Sequence, residues 1–145
     1  MYAIVDRPVS QLDYPGQLLI WAMRSWVASV ERRQCPGSTL GPAFAQHNML
    51  AGLQPFLRMM ATLNRHGLED FEFHQLTCNR VSEHEALLLQ ALGQARSTQA
   101  ANLANVLPLI VDEESTACLL DAMLTIGKVL NEARFGTSIS DDPNI

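Results

Sequence analysis

Apolar residues recur every three or four positions in one segment of this chain after another. That period suits α-helices with one buried face. In the stretch from Tyr14 to Ser38, Leu19, Met23, Trp26 and Val30 follow a 4-3-4 spacing with Val27 beside them. Arg32 and Arg33 close that helix where cations complement its dipole, and the Cys35-Pro36-Gly37 triplet breaks the pattern. Further on, Ala45, Met49, Leu53, Phe56, Met60 and Leu63 keep one phase across Pro55. An unrelated second helix need not keep that phase, so the pattern predicts one helix from about Pro42 to His66, kinked near Pro55. A third helix is expected to begin after Ser82 and to end near Arg96. A fourth is expected from about Thr98 to Leu107, with Ala100, Leu103, Ala104 and Leu107 on one face. The fifth, Glu113 to Arg134, carries Leu119, Met123, Ile126, Leu130 and Ala133, with Asp112 as its N-cap.

Between the second and third helices the helical period stops. Phe71 and Phe73 alternate with acids there, which reads as a short strand. The expected fold is therefore all-α: a single-domain bundle or orthogonal array of about five helices. It leaves room for a minor two-stranded β element pairing residues 2–5 with 71–76, a marginal structure on its own. At 145 residues one core suffices, so residues 1–135 are assigned to one helical domain and 136–145 to a flexible polar tail.

Composition narrows the partners. The net charge is −5, and the few basic residues are scattered apart from the Arg32-Arg33 pair, which argues against nucleic acid. The longest apolar run, Leu18 to Met23, is far too short to cross a bilayer. Cys35, Cys78 and Cys118 are three and widely spaced, which suits reduced thiols in the cytoplasm rather than a disulfide framework. Lys128 is the single lysine among nine arginines, a balance that suits a GC-rich bacterial genome.

The stretch Thr77 to Leu92 collects a cysteine, a histidine and two acids ahead of a leucine-rich helix. Ser82 and Glu85 have the spacing of a capping box, and Glu83 lies in the first turn where negative charge is favoured. His84 projects onto the arc of Leu87, Leu88, Ala91 and Leu92, at the mouth of the helix near Cys78. His74, Cys78 and His84 are the residues that could bind a ligand or a metal. Yet no CxxC or HxxxH pair supports zinc, so no metal or cofactor is expected. A nucleophile elbow and a phosphate loop are missing too, and no catalytic residue is assigned.

Trp21 points away from the stripe of the first helix, near Ala28 and flanked by Arg24, and Leu89 does the same on the third. A helix apolar on two sides is buried on two sides, and tryptophan and arginine are enriched at interfaces. Trp21, Arg24, Ala28 and Leu89 are thus the candidate interface. The expectation is a non-enzymatic protein that acts through protein contacts or self-association, most simply as a homodimer. The alternative is a small-molecule- or metal-binding helical domain with its site at His74, Cys78 and His84.

Overall fold

Asp13 starts the first helix. Its carboxylate accepts the N–H of Gly16 at 2.9 Å, and Pro15 occupies the first turn, where a missing N–H costs nothing. The structure, a computed structural model, describes residues 5–68, 70–97 and 100–133. Helix α1 spans Tyr14–Glu31 and buries Leu19, Ile20, Ala22 and Met23. It ends in a Schellman motif: Gln34 N–H donates to Ser29 C=O at 2.8 Å and Arg33 N–H to Val30 C=O at 3.1 Å. Arg33 takes the left-handed conformation this requires, with φ 57°.

Helix α2 spans Pro36–Gln46 and closes the same way. Asn48 is left-handed at φ 59°, and Met49 N–H reaches back to Phe44 C=O at 2.7 Å. A 3-10 turn, Leu50–Gly52, leads into α3, Leu53–His66. The single kinked helix expected over 42–66 is therefore two helices, and the break lies at Asn48 rather than at Pro55. Pro55 stands in the first turn of α3, where its ring is harmless, while Pro42 lies inside α2. Met49, Phe56, Met60 and Leu63 are buried, but Ala45 is exposed. The shared phase marks one core reached by two elements.

Helix α4, Glu83–Arg96, begins at the capping box of Ser82 and Glu85 as the spacing indicates. Helix α5 covers Ala100–Val106, and Pro108 falls in the 3-10 turn after it, Leu107–Leu109. Leu103 and Leu107 are buried and Ala104 is exposed. Asp112 accepts the N–H of Ser115 at 2.9 Å, but Glu113–Ser115 is a 3-10 turn and α6 proper runs Thr116–Glu132.

Six α-helices thus make up the described residues, an all-α array with α6 lying across α3 and α4. Helix α6 comes close to α4 at Gly127, where a Cβ would stand 2.8 Å from the carbonyl oxygen of Ala95. Phe44 and Phe56 meet in the core with ring centres 5.6 Å apart. No helix among the described residues is long and apolar enough to cross a membrane.

The β element differs from expectation. No strand occurs among the described residues, only isolated bridges, and Pro8 pairs antiparallel with Arg80. Asp6 N–H donates to Val81 C=O at 2.9 Å and Val81 N–H to Arg7 C=O at 3.1 Å. Residues 6–9 therefore pair with residues 79–81. Of the partner stretch 2–5, residues 2–4 lie outside the described residues, as does the tail 136–145.

Candidate functional site

Arg24 lies mid-way along α1 and is only 3% exposed. Its guanidinium has five N–H donors, and all five are used. Nε donates to Glu85 Oε2 at 2.8 Å and Nη2 to Glu85 Oε1 at 3.0 Å, a bidentate grip. Nη1 donates to the carbonyls of Gln75 and Cys78 at 3.1 and 2.6 Å, and Nη2 to that of Arg80 at 2.7 Å. Glu85 is fully buried and equally saturated. Beyond Arg24 its oxygens accept Ser82 N–H at 2.9 Å and His74 N–H at 3.1 Å. A buried charge is tolerable only when paired and hydrogen-bonded throughout, and here both charges are.

The segment 70–75 is shaped by that knot and by the mouth of α4. Glu72 N–H donates to Nδ1 of His84 at 2.8 Å, and Glu72 C=O accepts the Ser82 hydroxyl at 2.9 Å. Residues 72 and 74 thus turn their backbones toward α4, in the alternation of an extended chain. Phe71 and Phe73 pack partly against the core, while Glu72 and His74 are exposed. The Phe71 ring also lies 4.8 Å from the ring of His84.

Two grooves flank this segment, each of about 630 Å³. One is floored by α1 and α3, through Trp26, Val30, Met60 and Leu63, and walled by residues 70–74. Glu31, Asp70 and Glu72 line it as well, with Asn64 and His74, and no lysine or arginine among the described residues does. The second runs past Ala28 and Arg32 to Leu76 and Thr77 and shares Val27, Glu31, Phe73 and His74 with the first.

His74, Cys78 and His84 do not share a pocket. The His74 side chain is exposed beside both grooves, and Cys78 lines a third depression with Trp21, its thiol 3.8 Å from Arg80 C=O. His84 is engaged with Glu72 and Phe71. No set of three histidine, cysteine or acidic side chains among the described residues could hold a metal ion. The interface candidates are dispersed too. Arg24 is interior, contrary to its expected place at a surface, because its charge is consumed by Glu85 and three carbonyls. Trp21 is half-buried and lines the third depression together with Val9 and Leu76. Ala28 lines the second groove, and half-buried Leu89 lines a separate depression with Pro15 and Arg96.

What the sequence alone did not single out is the acidic groove itself. Its floor was visible as the last two residues of the α1 stripe, Trp26 and Val30.

The chain matches no family model, no curated protein and no solved structure. The groove and the knot beside it are thus the whole basis for a functional reading.

Proposed function

We propose that the protein is a non-catalytic cytoplasmic domain that acts through protein contacts, holding an apolar segment of a partner in the groove between α1, α3 and residues 70–74. One observation carries this reading. The apolar stripe of α1 is covered at Leu19 and Met23 but left open at Trp26, which is half-buried, and at Val30, which is 43% exposed. A stripe that continues past its own core is a surface built to be covered. Phe71 and Phe73 extend it with aromatic area, the residue type that contributes most at contacts. The shape is that of a docking trough, and the polar side chains around it are the carboxylates of Glu31, Asp70 and Glu72 with Asn64 and His74.

Selection from a random peptide library tests the reading. The wild type is expected to enrich apolar peptides, and Val30→Asp, with an unchanged melting curve, is expected to lose them. Val30 is exposed, so the substitution does not threaten the fold. Absence of enrichment, or enrichment indifferent to Val30→Asp, would count against the groove.

A further inference from the structure

Resting on that reading of the groove, we propose that its occupant binds as an added β-strand along Phe71 and Phe73, and that it is an extended segment alternating apolar with cationic residues. In an extended chain the N–H and C=O of one residue point to the same edge, and those of the next residue to the opposite edge. Glu72 gives both of its backbone groups to the mouth of α4, to His84 and Ser82, and His74 gives its N–H to Glu85. Phe71 and Phe73 therefore present theirs to the other edge. No group among the described residues bonds the backbone N–H or C=O of either. Residues 70–74 form the groove wall, so this open edge borders the groove.

The first turn of α4 thus does for one edge of this segment what a neighbouring strand does in a sheet. The other edge is the template on which peptide-binding domains add a strand, with main-chain bonds giving affinity and side-chain pockets giving selectivity. The wall is about 13 Å long at ~3.3 Å per residue, enough for four or five residues of a partner. Alternate side chains of such a strand would fall on the floor of Trp26, Val30 and Met60.

Charge decides the partner. Glu31, Asp70 and Glu72 line the groove; among the described residues His74 is the one basic side chain there, and no lysine or arginine lines it. A second copy pairing through the same edge would bring these carboxylates against their own counterparts, on a chain of net charge −5. Like charges facing across a strand pair are destabilising, whereas arginine or lysine on the added strand is attracted.

The test uses a capped heptapeptide of alternating valine and arginine, its valine–glutamate counterpart, and two versions of the first methylated on every second backbone nitrogen, one for each register. Binding to the 15N-labelled full chain is followed by NMR through the Trp26 indole and the exchange of individual amides. The arginine peptide is expected to shift Trp26 and to slow exchange of the Phe71 and Phe73 amides about tenfold or more, leaving Glu72 and His74 unchanged. It is expected to bind about tenfold more tightly than the glutamate peptide, and one methylated register to bind about tenfold more weakly than the other, the worth of two or three hydrogen bonds. Glu31→Gln with Asp70→Asn is expected to narrow the arginine preference severalfold. If the peptide shifts Trp26 while Phe71 and Phe73 exchange as before and both registers bind equally, strand addition is wrong and groove docking stands. If neither peptide reaches Trp26, the strand proposal falls, and the library selection decides docking separately. A peptide-free dimer with Phe71 and Phe73 already protected would assign the edge to a second copy and overturn the cationic partner.

Discussion

Arg24 and Glu85 saturate each other: both carboxylate oxygens meet the guanidinium, at 2.8 and 3.0 Å, and every remaining donor and acceptor on the pair is spent on residues 74–82. The two residues are 61 positions apart, so this contact fixes the segment between α3 and α4 against the middle of α1. Arg24→Ala or Glu85→Ala is expected to destabilise by about 3–5 kcal/mol, the cost of stranding a buried charge. Arg24→Lys does not rescue, because an ammonium has three donors for five acceptors. The double substitution is expected to cost little more than either single one. Urea denaturation of the two single alanine variants and the double measures this, and additive losses would show that the two charges are independent.

Gly127 and Gly93 make a matched pair. Replacing a mid-helix glycine by alanine gains about 1 kcal/mol from helix propensity alone. Nothing lies within 4 Å of a Cβ at Gly93, so Gly93→Ala is expected to stabilise by up to that amount. At Gly127 the Cβ would meet the Ala95 carbonyl oxygen at 2.8 Å, a backbone atom that cannot swing aside. Gly127→Ala is expected to destabilise, by about 1–3 kcal/mol, as α4 and α6 are forced apart. Thermal melts of the two variants should move in opposite directions.

Asp112 links stability to pH. The Ser115 hydroxyl first, then the Ser115 N–H and the His66 ring 3.0 Å away, hold its carboxyl below the ordinary value of 3.8. A depressed folded pKa favours the native state above the unfolded value, and that contribution is lost as pH falls through the folded one. The wild type is expected to be more stable than Asp112→Asn at pH 6, with the two converging as pH drops below about 4. Asparagine keeps the cap, so a gap that stays constant down to pH 2.5 would place the effect elsewhere.

Cys35 is the thiol to watch. It stands at the N-cap position of α2, is exposed, and has its pKa lowered chiefly by the Ser38 N–H, then by the Ser38 hydroxyl and the Gly37 N–H. Iodoacetamide at neutral pH is expected to label it ahead of Cys118, which is also exposed, and ahead of half-buried Cys78. The lead should shrink at high pH, where every thiol ionises. Peptide mapping by mass spectrometry reads the order, and Cys118 labelled first would contradict it.

The helical period made most of the fold legible, because burial of one face leaves its mark in the sequence itself. The start of α4 follows from Ser82 and Glu85, whose capping chemistry is local. Apolar phase does not locate the break between α2 and α3: Asn48 readily turns left-handed, and that outweighs a proline harmless at the start of a helix. The knot was legible in principle. Arg24 has Ile20 four residues before it and Val27 three after it, and Glu85 has Leu88 three after it and Leu92 seven after it. Two opposite charges, each on an apolar arc, call for one another. The capping role of Glu85 masks that second role in the sequence. The acidic groove was not legible, since Glu31, Asp70 and Glu72 converge through tertiary contacts that spacing does not encode.

The saturation of Arg24 by Glu85 also has a hereditary consequence. Neither residue can drift alone without leaving an unpaired charge in the interior, so a lineage must pass through a broken intermediate to lose the pair. Distant cousins of this chain are expected to carry both residues or neither, whatever else has changed around them.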